Sequence, residues 1–206
     1  MASLAVLSGC SPSNTYIVDK KDGAYVAVPN SWHKISQDEL SKFEATNTSA
    51  SAALILSEVD FQEAFSLAPG VVAKAVFSDE TPSTPIAYLR IRELSADESD
   101  AVNYDSMRNI FHPFLSVNSG VATVDSGISL YSDSSNVQKG GRGVSTTFAF
   151  AAPDSPNQEV YSQSIILSND RSRLYMFIVK ATSKDYDKYK STIAKIMNSF
   201  TVVGRN

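Results

Sequence analysis

The feature that most constrains the fold is a succession of closely spaced, β-rich segments between residues 127 and 182. Stretches of β-branched and aromatic residues predict four strands there, at 127–132, 143–151, 159–168 and 173–182. The last two are separated only by Asn169 to Ser172, which read Asn-Asp-Arg-Ser and are typical of a hairpin turn. Strands joined by so short a turn pair in the antiparallel direction. The C-terminal half is therefore predicted to be built on β-strands.

A helix is predicted to follow the last of these strands. Ser183 is the expected cap, and the apolar residues behind it are spaced by three and four, which is typical of one helix face. These residues are Tyr186, Tyr189, Ile193, Ile196 and Met197. We expect this face to lie against the sheet and to cover Leu174, Met176 and Ile178, or their alternate neighbours on the strand. Residues 200–203 are predicted to form a short final strand.

The first part of the chain predicts a hairpin and a short helix. Residues 16–19 and 24–29 are β-rich, and Asp22-Gly23 between them is a strong hairpin-turn pair. Ser36 and Glu39 have the spacing of a capping box, which predicts a helix with Leu40 and Phe43 on its apolar face. The N-terminal elements therefore add both a β-hairpin and a helix to the C-terminal strands.

The middle of the chain predicts two further helices and two strands. A helix is expected within residues 50–67 and ended by Pro69-Gly70, and another near 100–116, where Pro113 kinks or ends it. Strands are expected at 71–77 and 86–94, joined by a Pro-containing loop at 81–85.

Three segments of the chain resemble the PsbP-like fold family, in particular its bacterial lipoproteins of Gram-positive, actinobacterial type. Residues 23–32 end in Pro29-x-x-Trp32 and are similar to the family's opening strand. Residues 173–177 resemble its penultimate strand, and residues 196–202 resemble its closing helix, which ends in Ser-Phe-x-Val. The resemblance implies an α+β fold, an α/β/α sandwich in which an antiparallel sheet carries helices on both faces. The family has no shared catalytic residues, so the fold alone assigns no activity.

The N-terminal residues predict a lipid anchor. Cys10 is the only cysteine in 206 residues, and Leu7-Ser8-Gly9-Cys10 resembles the bacterial lipobox, an aliphatic residue and two small residues before the cysteine. The resemblance implies cleavage before Cys10 and a lipid on its sulfur. Residues 1–15 are interpreted as the remnant of a signal peptide, the lipobox and a polar tether, and residues 16–206 as a single domain.

Composition and charge exclude several classes of protein. The net charge is −4, and no cluster of Lys and Arg exceeds two adjacent residues, which argues against a nucleic-acid-binding surface and against a polybasic membrane patch. No apolar segment approaches the roughly 20 residues that span a bilayer. The hydrophobic fraction of 43% supplies a sizeable core.

The histidines and serines predict no catalytic centre. His33 and His112 have no Cys or His at the spacing of a metal site. The segment from Val117 to Val121 is similar to a nucleophile elbow but lacks the first glycine of the Gly-x-Ser-x-Gly pattern.

The acidic and glycine-rich segments are interpreted as structural. Residues 97–100, with Asp105, lack the glycine and the final glutamate of an EF-hand loop, and they are expected to complement a helix dipole. Residues 139–143 lack the ending of a phosphate-binding loop and are predicted to connect two strands.

Aromatic residues on the predicted strands leave two interpretations open. Tyrosines occur there at Tyr16, Tyr25, Tyr88, Tyr161 and Tyr175. They either pack between sheet and helices as ordinary core or line an apolar pocket with a few polar groups.

The sequence therefore predicts a non-enzymatic, membrane-anchored extracytoplasmic lipoprotein that binds a partner protein or an apolar ligand at the cell envelope. It predicts no cofactor, no metal ligand and no nucleic-acid partner. The alternative is an extracytoplasmic enzyme of the hydrolase type whose site is not recognisable from the residues.

Overall fold

We describe the protein from a computed structural model, which describes residues 13–78, 82–118, 121–151 and 157–205. Cys10 and Ser11-Pro12 of the predicted tether lie outside these residues. The first strand begins at Asn14, two residues before the predicted start of the domain at Tyr16.

The helices and strands alternate irregularly along the described residues. The strands are β1 (Asn14–Asp19), β2 (Ala24–Pro29), β3 (His33–Ile35), β4 (Val59–Ser66), β5 (Ile86–Glu93), β6 (Leu115–Asn118), β7 (Val121–Val124), β8 (Ile128–Gln138), β9 (Gly141–Ala151), β10 (Gln158–Ser168), β11 (Arg173–Thr182) and β12 (Thr201–Val202). The helices are α1 (Gln37–Glu44), α2 (Ala50–Ser57), α3 (Ala73–Phe77), α4 (Ala96–Ala101), α5 (Tyr104–Arg108) and α6 (Ser183–Ser199).

A seven-stranded antiparallel sheet organises the molecule, in the order β3-β4-β5-β11-β10-β9-β8. The four predicted C-terminal strands are four of its seven strands and form consecutive hairpins, so this part of the prediction is confirmed. A second sheet, β1-β2-β12, contains the predicted N-terminal hairpin and the final strand. β6 and β7 form a separate hairpin.

Both faces of the large sheet are covered. On one face Leu89, Phe177 and Val179 pack with β2 and α6. On the other face Tyr88 and Ile178 pack with α1 and α3, and α5 covers the neighbouring part of that face. The predicted antiparallel sheet with helices on both faces is therefore confirmed.

The closing helix docks through the face that the sequence predicted. Ile193 and Ile196 are buried and pack with Tyr175, Phe177 and Val179. Tyr175, Phe177 and Val179 alternate with Leu174, Met176 and Ile178 along β11, so α6 covers the second of the two sets that the sequence allowed. The cap is Thr182 rather than the predicted Ser183, because the Thr182 hydroxyl accepts a hydrogen bond from the Asp185 amide at 3.0 Å.

Several predictions for the middle of the chain are wrong. The segment 71–77, predicted as a strand, instead contains α3 over Ala73–Phe77, because Ala73 and Val76, three residues apart, are buried together on one helix face. The helix expected within 50–67 ends at Ser57, and β4 follows it. Gln62 is polar but fully buried in β4, so the sequence of this strand lacks the alternation of apolar and polar residues by which a strand is predicted.

The helix predicted near 100–116 is divided in two. α4 ends at Ala101, and Asn103 starts α5 by accepting hydrogen bonds from the amides of Asp105 and Ser106. Asn residues favour such caps over helix interiors, because the side chain competes for backbone amides.

The glycine-rich segment at 139–143 connects β8 and β9, as predicted. A Cβ at Gly143 would lie 1.7 Å from the backbone oxygen of Ile165 on β10, and one at Gly140 would lie 2.2 Å from the backbone nitrogen of Gly204. These glycines are therefore required by close approach of backbones.

Candidate functional site

A cavity of about 390 Å³ lies on the face of the large sheet that α1 and α3 cover. Its floor is formed by two neighbouring strands. β5 contributes Tyr88, Arg90 and Arg92, and β11 contributes Met176, Ile178 and Lys180. Tyr88 pairs across the ladder with Ile178, and Arg90 pairs with Met176, so a polar row and a mainly apolar row lie side by side.

The walls of the cavity are mainly apolar. Val76 and Phe77 of α3 form one side, and Ile110 and Phe111 form another. Ile55 of α2, Glu98 of α4 and Tyr161 of β10 complete the lining together with Ser78. Apolar walls with a few polar groups are the usual composition of small-molecule sites, whose volumes run from about 300 to 1,000 Å³.

The polar groups on the β5 row are held in a hydrogen-bonded network. The Tyr88 hydroxyl donates to Gln62 Oε1 at 2.7 Å, and Gln62 Nε2 donates to Glu44 Oε2 at 2.8 Å. Arg90 Nη1 donates to Glu44 Oε1 at 2.6 Å. Burial raises the pKa of Tyr88 well above its ordinary value, so this hydroxyl stays protonated. The network fixes the floor and leaves Tyr88 without nucleophilic character.

The remaining cations of the floor also have partners. Arg92 forms ion pairs with Glu58 at 2.7 Å and with Glu98 at 2.6 Å. Lys180 is 4% exposed, and its Nζ donates to the backbone oxygen of Ser78 at 3.1 Å. Because the arginine charges are balanced by neighbouring carboxylates, the cavity is suited to a molecule that is mainly apolar.

Two of the five strand tyrosines line this cavity, namely Tyr88 and Tyr161. Tyr175 belongs to the core on the opposite face, where its hydroxyl donates to the backbone oxygen of Asp22 at 2.8 Å. Tyr16 is 62% exposed, and Tyr25 is partly buried in β2. The pocket interpretation therefore applies to Tyr88 and Tyr161 and the core interpretation to Tyr175, whereas the exposed Tyr16 fits neither.

The two histidines lie in different environments. His33 is exposed at the start of β3. The His112 ring stacks on Phe150, with ring centroids 3.8 Å apart. Within the residues that the structure describes, no three His, Cys, Asp or Glu side chains are grouped as a metal site would require.

Residues of the acidic segment and of the elbow-like segment belong to regular secondary structure. Glu98 completes a capping box with Ser95 and pairs with Arg92. Val117 lies in β6 and Val121 in β7, while residues 119 and 120 of the elbow-like segment lie outside the described residues.

Sequence reasoning missed most of the cavity lining. The alternation of β5 places Tyr88, Arg90 and Arg92 on one strand face, but two arginines in such a row are more typical of a solvent-facing surface. Ile86 and Tyr88 share the strand face of the two arginines, and these two large apolar side chains are the signal that could have revealed a covered face. The contributions of Ile55 and Phe111 depend on tertiary packing.

None of the helices in the described residues has the length and apolar composition needed to cross a bilayer. Neither protein-family models nor curated proteins gave a match to the sequence.

Solved structures similar to this chain include three from different organisms. LpqN, described as involved in cell envelope biogenesis of Mycobacterium tuberculosis, is 10% identical with a TM-score of 0.51, covering 92% of this chain and 90% of LpqN. PsbP (CyanoP) from Synechocystis sp. PCC 6803 is 15% identical with a TM-score of 0.47, and the match covers 97% of this chain and 98% of PsbP. The Ran-binding protein Mog1p from Saccharomyces cerevisiae is 10% identical with a TM-score of 0.46, and the match covers 93% of this chain and 96% of Mog1p.

The PsbP-like fold predicted from the sequence is confirmed. The chain has the antiparallel sheet with helices on both faces that this fold implies, and LpqN is similar to it over 92% of the chain. At these identities the likeness concerns the fold, and assignment to the actinobacterial lipoprotein branch stays a prediction.

Proposed function

We propose that this protein is a non-enzymatic binding protein of the cell envelope that holds an apolar ligand in the cavity between β5, β11 and α3. The observation that supports the proposal is the cavity itself, with its apolar walls and its hydrogen-bonded, charge-balanced floor. An apolar ligand gains from transfer out of water into such a site and requires no reactive group from the protein.

A pair of variants on α2 tests the cavity. Ile55 lines it and is 48% exposed, whereas the adjacent Leu54 is 61% exposed and does not line it. Binding of the neutral probe N-phenylnaphthylamine, followed by fluorescence, should be about tenfold weaker in Ile55→Glu, because the substitution replaces apolar wall that the probe would contact with a hydrated carboxylate. Leu54→Glu should bind as the wild type does. Equal binding by both variants would contradict the proposal.

Native mass spectrometry supplies a second readout on the wild type. A co-purified lipid, lost by Ile55→Glu and retained by Leu54→Glu, is the expected result. A protein that carries no lipid and binds no probe would instead favour the partner-protein version of the binding role.

We further propose that Cys10 carries the lipid that holds the protein at the extracytoplasmic face of the membrane. The support is the Leu7 to Cys10 motif and the uniqueness of the cysteine. Expressed with a complete signal peptide, the wild type should enter the detergent phase on phase separation, and Cys10→Ala should stay in the aqueous phase. The anchor is refuted if both proteins remain aqueous.

A further inference from the structure

A second concave surface lies on the opposite face of the large sheet, between β8 to β10 and the side of α6 that faces the sheet. We call it the α6 groove. Its volume is about 410 Å³. α6 packs on β11, β10 and β2, and most of the edge strand β8 is exposed.

The floor of the α6 groove consists of hydroxyl and amide side chains. Members of three strands contribute, namely Ser132, Ser134, Asn136, Ser145, Thr147 and Ser162. Hydrogen bonds between several of these side chains hold them in place. Asn136 Nδ2 donates to the Ser145 hydroxyl at 3.0 Å and to the Ser164 hydroxyl at 2.9 Å, and the Thr147 hydroxyl donates to that of Ser162 at 3.2 Å. The floor therefore presents donors and acceptors at defined positions.

The facing wall is apolar and aromatic. α6 contributes Ile193, Ala194, Met197 and Tyr186. The ring of Tyr131, on the edge strand β8, lies 6.1 Å from the Tyr186 ring and is 52% exposed, which extends the aromatic surface at this end.

The lining of the α6 groove carries no charge. No Asp, Glu, Lys, Arg or His is among the described residues that line it. Lys190 lies beside the wall, with its Nζ 6.0 Å from the centroid of the Tyr186 ring, but it does not line the groove. An anionic or cationic ligand would therefore lose its hydration without gaining an ion pair.

We infer that the α6 groove binds a neutral saccharide. A sugar ring has hydroxyl groups around its edge and C–H groups on its faces, which match a hydrogen-bonding floor opposite an aromatic and aliphatic wall. The volume lies in the range of small-molecule sites, about 300 to 1,000 Å³. This site is separate from the apolar cavity and does not depend on the proposed function.

Titration of the isotope-labelled protein with maltose, cellobiose and chitobiose, followed by amide chemical shifts, tests the inference. At least one of these disaccharides, with the chitobiose used in its neutral N,N′-diacetyl form, should shift residues 132–138, 145–147 and 193–198 and leave the residues around the apolar cavity unchanged. Digalacturonate, which is charged, should bind more weakly. The inference is overturned if none of the neutral sugars shifts the groove, or if digalacturonate binds more tightly.

Tyr131→Ala provides the matched variant. Loss of an aromatic surface should weaken binding of the best disaccharide about tenfold. Tyr104→Ala is the control, because Tyr104 is 43% exposed on α5, which packs on the opposite face of the sheet, whereas the Tyr131 ring lies beside that of the lining residue Tyr186. Both tyrosines are exposed, so both variants should keep the wild-type melting temperature. Equal affinity in the two variants would refute the contribution of Tyr131, and the absence of any shift at the lining residues in the titration would refute the saccharide site.

Discussion

Ile193→Asp should destabilise the protein by several kcal/mol. Ile193 is 2% exposed and packs in the core that α6 forms with β2 and β11. A carboxylate at this position would be buried without a partner, and an unpaired buried charge costs several kcal/mol. That is a large part of the roughly 5–15 kcal/mol that stabilises a domain. Thermal denaturation followed by circular dichroism measures the loss.

Lys188→Asp is the control on the same helix. Lys188 is exposed, and its Nζ contacts the ring of the neighbouring Tyr189 at 4.9 Å from the centroid. Its replacement should leave the melting temperature almost unchanged. Equal, small shifts in the two variants would mean that α6 does not dock through Ile193. The final strand β12 follows this helix, so its hydrogen bonds to β2 should be lost together with α6 packing.

The parts of the fold that the sequence predicted well are those in which local pattern and tertiary role agree. The hairpins of β9 to β11 carry strong β-formers bounded by turn residues, and Ser36 and Glu39 form the predicted capping box, in which the Ser36 amide donates to Glu39 Oε2 at 2.8 Å. Trp32 is buried against the same core as α6, which explains why a Pro-x-x-Trp segment is a structural signature.

The parts that were predicted wrongly are those in which tertiary contacts decide. Gln62 would be costly in the interior unless it were hydrogen-bonded, and its partners Tyr88 and Glu44 are remote in sequence. α3 is only five residues long, so its apolar stretch carries too little periodicity to distinguish a helix from a strand.

The same reasoning applies to the two candidate sites. An apolar pocket was one of the two interpretations that the sequence left open for the strand tyrosines, and Tyr88 and Tyr161 do line such a cavity. The α6 groove gave no signal, because serines and threonines in β8 and β9 resemble an ordinary solvated strand surface. Only the position of α6 over the neighbouring strands turns that surface into one side of a groove.

Arg173→Met should remove about 3 kcal/mol of stability, because it breaks a buried ion cluster. Arg173 is 4% exposed, and its Nε lies 3.0 Å from Asp22 Oδ1 and 3.0 Å from Asp60 Oδ2. Asp22 is fully buried in the turn of the β1–β2 hairpin, and Asp60 lies on β4. The cluster therefore joins the small sheet to the large one. Urea denaturation at neutral pH measures the loss.

Lys21→Met is the matched control, because Lys21 pairs with the same Asp60 at 2.5 Å but its side chain is 61% exposed. Exposed pairs contribute little, so its urea midpoint should stay close to that of the wild type. A midpoint for Arg173→Met equal to that of Lys21→Met would show that Arg205, which also pairs with Asp22 at 2.7 Å, is sufficient to hold the hairpin.

The acid dependence of stability provides a second test of the cluster. Burial alone would raise the pKa of Asp60, but the hydrogen bond from Lys21 and the charge of Arg173 outweigh it and lower the pKa below its ordinary value of 3.8. The stabilisation from Asp60 is therefore complete above pH 3.8 and is lost as the pH falls through the lowered value.

Asp19 acts in the opposite direction, because burial, and then its neighbour Asp22, raise its pKa. The stabilisation from Asp19 is present below pH 3.8 and is lost as the pH rises through the raised value. Without Arg173 the pKa of Asp60 should move back toward 3.8, so Arg173→Met should lose less additional stability in acid than the wild type does. An identical loss in both proteins below that pH would mean that Lys21, and not Arg173, keeps Asp60 ionised.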